Sequence, residues 1–551
     1  MKIRRQRAAC VTGRWKRSLL VLLVCLLSLV CDRALTQAQE PARPIFDSSG
    51  VGCDFNGAGA PRSFGWQHTI GAGRNRLLVV SVSTALDVAP LGGLPPPRVM
   101  SVTYNGVALV RVDNLAATSP FPDTRAAVEM FRLTEPLPAS GTYTVEVTLL
   151  GGVDYAVGGS ASFSDVNQFR PLGLFQTSGG NSRAPSINAL GAPNEVLLNG
   201  VATRFDGGVL QAQSPQVERW NGKVCLDQIH SIGAGATRQG AFFLTTLNWA
   251  MVGGNGQSQP WAIGAASVRP VPTKPSDFDG DGRTDIAVWR PSSGNWYINN
   301  SSIAPRIQFD WGRESLNDAA VPSDYDGDRR TDVAVWRASE GNWYIIRSAT
   351  NTVINPNWGQ QGDVPVPADY DGDGRADLAV FRPTEGNWYI LHSFDGSARV
   401  QGWGNPTDRL VPGDYDGDAK ADIAVFRPLD GNWYVIRSSD GTATIQNWGL
   451  INDTPVPGDY DGDQITDFAV FRPTEGNWYV RRSTGGSTIR NWGIASDRPV
   501  PGDYDDDGRT DVAVFRPTEG NWYIIRSSDN SAIIEYLGQS GDTPVPAAYL
   551  H

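Results

Sequence analysis

Histidine and methionine are nearly absent from this chain, with four of each among 551 residues. No helix-length amphipathic stripe follows the first forty residues; apolar residues come instead in short runs bounded by turn formers, Gly (61) and Pro (37). That pattern excludes a helical bundle and points to β structure. The catalytic signatures that use histidine or a serine elbow are missing too, since there is neither a GxSxG nor an HExxH segment. His551 is the last residue, and His392 occupies a repeat slot that holds Arg437, Arg482 or Arg526 in other copies. His68 and His230 have no identifiable partner, so they are read as core or surface histidines. Asp154, Asp165, Glu195 and Asp206 are nominal carboxylates for a polysaccharide-active enzyme, but no spacing singles out a pair. No catalytic residue is assigned, and the chain is expected not to be an enzyme.

Cysteine is scarce as well. Cys10, Cys25 and Cys31 fall in residues 1–38, which read as an export signal. Lys2, Arg4, Arg5, Arg7, Arg14, Lys16 and Arg17 precede the apolar stretch Leu19 to Val30, and Thr36-Gln37-Ala38 supplies a small-residue cleavage site near Ala38. The stretch is short for a membrane span, and none is expected in the mature chain. An uncleaved anchor is the alternative; either way the bulk of the chain lies outside the cytoplasm. Cys53 and Cys225 remain, either as one disulfide or as two buried thiols. Without residues 1–38 there are 39 Lys and Arg against 57 Asp and Glu, a formal charge of −18. Such a surface repels nucleic acid and attracts divalent cations.

From Asp277 onward one unit is written six times, at intervals of 47, 45, 45, 45 and 44 residues. Each opens with an Asp-rich nonapeptide, DFDGDGRTD at Asp277 and DYDGDGRAD at Asp369 for example. An apolar strand, a Gly-Asn-Trp-Tyr strand, a strand ending in Trp-Gly and a Pro-Val-Pro strand follow. Four strands in about 45 residues make one propeller blade, and six units predict six blades, a seventh divergent one being the alternative. The C-terminal Thr543-Pro-Val-Pro lacks an Asp loop and fits a closing strand for the first blade.

In this nonapeptide the side chains at positions 1, 3, 5 and 9 and the carbonyl at position 7 converge on one point, a set of hard oxygen ligands suited to Ca2+. The predicted ligands are Asp277, Asp279, Asp281, Asp285 and the Arg283 carbonyl in the first loop; Asp324, Asp326, Asp328, Asp332 and Arg330 in the second; and Asp369, Asp371, Asp373, Asp377 and Arg375 in the third. The fourth offers Asp414, Asp416, Asp418, Asp422 and Lys420; the fifth Asp459, Asp461, Asp463, Asp467 and Ile465; the sixth Asp503, Asp505, Asp507, Asp511 and Arg509. Two charges about 4 Å apart repel by about 4 kcal/mol at an effective dielectric of 20, so four together call for a cation. With no Cys or His expected nearby, soft metals are excluded. Position 6 is Gly282, Gly374 and Gly508 in three loops but Arg329, Ala419 and Gln464 in the others, where a side chain is expected to resist the tight turn.

These loops and strands resemble the FG-GAP/VCBS class of repeats of integrin α-subunit propellers and bacterial secreted proteins. The resemblance implies a calcium-binding propeller over 277–551. Trp358-Gly359 and Pro-Val-Pro-Gly-Asp stand where that class carries Phe-Gly and Gly-Ala-Pro, so partner recognition does not carry over.

Each unit also repeats an aromatic-Arg pair, from Trp289-Arg290 to Phe515-Arg516, and a Trp-Tyr pair. Packing between blades is one reading of this ladder; an exposed sugar site using Trp289, Trp336 and Arg382 is the other. Residues 40–268 show period-two segments, including Leu77 to Ser83 and Thr142 to Leu149, with an Asn105-Gly106 hairpin turn. Eight to ten strands there predict a jelly-roll-like β-sandwich, joined by a Pro-rich linker at 269–276. The chain as a whole is expected to be all-β, a secreted calcium-binding repeat protein that binds or adheres to an extracellular protein or glycan. A propeller lectin and a polysaccharide-active enzyme are the alternatives.

Overall fold

The computed structural model describes residues 44–545 except 55–61, 87–97, 113–116, 119–125, 151–152, 169–170, 204–207, 223–232, 254–255, 272 and 303–305. The export signal, Cys225, His230, Asp206 and His551 lie outside the described residues. Cys53, in the strand Ile45–Asp54, is disulfide-bonded. The chain is all-β, with a short 3-10 turn at Glu314–Leu316 and, among the described residues, no helix long and apolar enough to cross a membrane. It divides into two compact units, Ala42–Thr273 and, for the repeats, Lys274–Asp371 with Arg375–His551.

Among the described residues the first unit holds sixteen strands in three sheets, where eight to ten strands in a sandwich were expected. A central sheet runs in the order Ile45–Asp54, Tyr155–Ser164, Leu77–Ala85, Ala126–Thr134 and Val110–Arg111. Leu77–Ala85 is buried at all nine positions. Leu78, Val80 and Val82 pack on Trp66, Val145 and Val147 of one outer sheet. Leu77 and Val79 turn the other way, onto Leu198, Trp220 and Val268 of the third. A strand covered on both faces has no polar side to mark its period, which is why alternation under-counted the layers. Close approach between the layers demands glycine at Gly159, where a Cβ would sit 2.1 Å from the Trp220 ring. The Asn105-Gly106 turn is as expected: both residues have positive φ (50° and 79°), and Tyr104 pairs with Val107.

The repeats form six four-stranded antiparallel sheets. In the fourth, Arg409–Leu410, Ile423–Arg427, Asn432–Ile436 and Ala443–Asn447 lie side by side in chain order. The second strand of that sheet is β-branched and aromatic in character, and Ile423, Ala424, Val425 and Phe426 are all buried, so it packs on both faces. The third alternates, with Trp433 wholly buried and Tyr434 partly so. The turn before each of these Trp-Tyr strands needs glycine. At Gly341 φ is +68°, and a Cβ would stand 2.3 Å from the Gly359 carbonyl oxygen.

Neighbouring blades are tied by indoles. Trp311, Trp358, Trp403, Trp448 and Trp492 each donate Nε1–H to the Tyr carbonyl of the next blade, at 2.9–3.1 Å. The Asp loops form a second, complete circuit. The carbonyl of position 1 accepts the N–H of position 8 in the following loop, from Thr331 to Asp277 through Thr510 to Asp459, and Thr284 to Asp503 closes the ring. Ile286 and Val288 of the first blade share a core with Val500, Phe515 and Trp522 of the sixth.

Candidate metal centres

In five blades the Asp loop links the first strand to the second, and in the first it leads straight into Ile286–Arg290, whose partner is Thr543–Pro544. The loop's shape follows from two left-handed residues, positions 4 and 6. Glycine serves at most of them, but Arg329 (φ 68°), Ala419 (71°) and Gln464 (65°) at position 6 and Asp506 (62°) at position 4 adopt the same conformation with side chains. The expected strain at Arg329, Ala419 and Gln464 is therefore present, at about 1–2 kcal/mol each.

The fourth loop shows how the carboxylates are held. Asp414 Oδ2 accepts the Ala419 N–H at 2.8 Å, while Asp414 Oδ1 accepts those of Gly417 and Asp418. Asp422 accepts the Tyr415 N–H at 2.8 Å through Oδ2 and the Ser438 N–H at 2.7 Å through Oδ1. Ser438 Oγ donates to Asp418 and Ser439 Oγ to Asp416. Positions 1, 3 and 9 offer oxygens within 4.8 Å of one another in the first, second and fourth loops: Asp277, Asp279, Asp285; Asp324, Asp326, Asp332; Asp414, Asp416, Asp422. The third groups Asp369, Asp371 and Asp373. Position 5 is further bound by the serine hydroxyl, as at Asp281, Asp328, Asp463 and Asp507. At position 7 the backbone N–H of Arg283, Arg330, Lys420, Ile465 and Arg509 donates to the position 5 carboxylate. Sequence reading missed the serines. Their signal was there, because Ser301, Ser348, Ser393, Ser438, Ser483 and Ser527 recur at one place in the repeat.

Burial, and after it the neighbouring carboxylates, push these acids upward: Asp277, Asp422 and Asp459 to about 6, and Asp285, Asp332, Asp414, Asp467 and Asp511 to about 7. The backbone N–H bonds oppose that rise without cancelling it. Several oxygens remain with nothing to bond: Asp326, Asp461 and Asp505 Oδ1 at position 3, and Asp328 Oδ2, are shielded from solvent and accept no hydrogen bond. Buried orphan oxygens beside like charges fit a hard cation, and the donor set is one calcium takes.

Residues 277–335 and 324–380 match the family model for FG-GAP-like repeats, which covers the first repeats and not the later ones. No curated protein matches the chain. Among solved structures, a lectin of Agrocybe aegerita that recognises non-reducing terminal N-acetylglucosamine is 18% identical over 48% of this chain and 77% of its own, with a TM-score of 0.33. Virginiamycin B lyase from Staphylococcus aureus is 9% identical over 49% and 88% (TM-score 0.31), and apo AztD from Citrobacter koseri 10% over 63% and 96% (TM-score 0.33). At these values nothing about binding or chemistry transfers.

Two expectations are overturned in the repeats. The exposed Trp-Arg sugar site does not exist, because Trp289 and Trp336 are only 4% and 2% exposed. Arg382 is engaged with Asp363 at 2.8 and 3.0 Å, and its guanidinium lies 4.2 Å from the centre of the Tyr389 ring. The same Arg-Asp-Tyr set recurs in every blade, within the blade rather than between blades, as with Arg427, Asp408 and Tyr434. Nor are the loops free of histidine: His392 Nδ1 stands 3.3 Å from Asp377 Oδ2 in the third blade. The repeat alignment put His392 in an arginine slot but did not reveal that the slot faces the loop.

Glu195 is bound to Arg269 at 3.2 Å, and Asp165 lies in a turn with φ 57°. His68 is 1% exposed, and its Nδ1 is 2.9 Å from Ser160 Oγ.

Proposed function

We propose that the chain is an exported, calcium-loaded propeller protein that serves as an extracellular binding or adhesion module, with a protein or glycan as its partner. The observation that carries this reading is the set of buried, unpartnered oxygens at position 3 of the second, fifth and sixth loops, each beside the position 9 carboxylate. In each loop the four Asp side chains and the position 7 carbonyl would hold one Ca2+. The ion supplies positive charge and oxygen coordination where the protein has gathered carboxylates, and its role is structural. The residues themselves pre-shape the site: position 1 folds the loop through backbone N–H groups, and the serines orient positions 3 and 5. Binding is favoured over catalysis because the conspicuous acids are already committed, those of the repeats to the loops and Glu195 to Arg269.

The acidic surface and the N-terminal signal-like segment support export, with cleavage near Ala38 and a Cys53–Cys225 disulfide. Calorimetric titration of Ca2+ into chelator-treated protein tests the metal reading. About six equivalents with a higher melting temperature is the expected result; no binding at millimolar Ca2+ rejects it. N-terminal sequencing of the exported protein tests the signal.

A further inference from the structure

The third blade carries a histidine beside its Asp loop, and the other five do not. The position before the repeated serine is Asn300, Arg347, Arg437, Arg482 or Arg526 elsewhere, and His392 here. A tight turn fixes the residue, its N–H bonding the Ser397 carbonyl at 2.9 Å and its carbonyl accepting from Gly396 at 3.0 Å. The imidazole is thereby aimed at the loop. Nδ1 stands 3.3 Å from Asp377 Oδ2 and 3.6 Å from Asp371 Oδ2, and one donor atom of each residue lies within 4.8 Å of the others. Asp377 is held in place by the Ser393 and Tyr370 N–H groups at 2.6 and 3.0 Å.

A second observation comes from the serine itself. In the other five blades its hydroxyl bonds the position 5 carboxylate. Ser393 Oγ, hidden from solvent, has no hydrogen-bond partner. A histidine–carboxylate ion pair accounts for the Asp377 contact; Asp371 Oδ2 also accepts the Phe394 N–H at 3.4 Å, and the Ser393 hydroxyl is left without a hydrogen bond. Three donors of nitrogen and oxygen type about a common point suit a different ion. Ligands held 2.0–2.1 Å from a tetrahedral zinc are about 3.3 Å apart, close to the spacings seen here. Imidazole favours zinc and its first-row neighbours over calcium, which prefers oxygen alone.

We propose that the third blade binds a first-row transition ion of the zinc class through His392, Asp371 and Asp377, while the other loops take calcium. The inference rests on the metal-loop reading of the ring, but on a different ion and a nitrogen ligand. Its test uses the whole protein, stripped by chelator and then held in excess Ca2+, with Co2+ as the probe. The comparison variant is His392→Arg, which installs the residue of four other blades, keeps the cation and removes the ligand. The expected result is one Co2+ equivalent with visible d–d absorption, bound about tenfold or more tightly than by the variant and displaced by Zn2+. His68, His230 and His551 are common to both proteins, so they cancel. Equal Co2+ binding by the two proteins overturns the proposal, as does Co2+ that excess Ca2+ displaces from the unmodified chain. Calcium stoichiometry on the same samples separates the two readings. Normal calcium uptake without the histidine-dependent site sinks this proposal alone; the cobalt site without calcium uptake sinks the calcium reading alone. That uptake also shows that the variant has folded.

Discussion

The two units solve burial in opposite ways. The repeats spread it over six small sheets, each with its own sealed tryptophan, from Trp296 to Trp522, all at 0% exposure. The N-terminal unit concentrates it in a central sheet covered on both faces, where Leu77–Ala85 has no solvent side at all. In the ring, polar groups are gathered at the loops and charge is the difficulty. In the layered unit they are sealed into the stack, as with His68 between the central and outer sheets and Glu129 at 1% exposure beside Arg111. The ring should therefore answer to cations, and the layered unit to protons.

Removing calcium gives the largest separation between the units. At a free concentration ten times the dissociation constant, each site contributes about 1.4 kcal/mol, or about 7 kcal/mol over the five loops without a histidine. Chelation is expected to lower the melting transition of the repeats and leave that of the N-terminal unit in place, as read by calorimetry. The pH dependence of the stripped ring has a definite sign. The loop acids titrate higher in the folded chain than in the unfolded one, so stability is greatest near pH 4 and falls as pH rises towards 7. Excess calcium should abolish that fall, in melts run across the range.

Breaking one internal ion pair comes next. Asp408 has a fully buried side chain, and Arg427 is bound to it by two hydrogen bonds. Arg427→Met strands that carboxylate and is expected to cost about 3–5 kcal/mol in denaturant titration of the repeats. The layered unit should be unmoved. Acid should move it instead. Burial drives His68 down to about 4 from 6.5, the neutral ring being favoured in the fold. Its contribution is full above pH 6.5 and is lost as pH falls towards 4, up to about 3 kcal/mol. NMR titration of the imidazole reads the pKa directly, and a normal value would remove the contrast. Smallest is Ala419→Gly, which relieves a left-handed residue and should stabilise the calcium-bound ring by about 1 kcal/mol, measured by melting.

The ring was legible because the chain states it six times. Asp277, Asp324 and their counterparts mark the loops, Gly-Asn-Trp-Tyr marks the strand after the apolar one, and the loopless Thr543-Pro544 marks a strand that belongs elsewhere. What repetition could not convey was direction. It showed that Trp336 and Arg382 recur, but the same recurrence serves a buried ladder or an exposed one; only three-dimensional packing decides. His392 was legible as a departure, and its proximity to Asp377 was not, since the two are fifteen residues apart across two strands and a turn. The layered unit had no second copy to compare. There the Asn105-Gly106 turn could be read from two residues, whereas the third sheet depends on long-range pairing, such as Leu198 with Ala266 and Thr237.

One of the six blade junctions is unlike the rest. Leu537 stands where the other blades have the donor tryptophan, and its carbonyl still accepts from Trp522, but it has no indole N–H to offer the first blade. The short C-terminal strand, the Lys274–Asp503 ion pair and the Arg306 bond to the Tyr536 carbonyl hold that junction instead. The circle therefore has a seam, and a force applied at the C-terminus would load it in the manner of a zip, peeling Thr543–Pro544 from the first blade before any other junction bears strain.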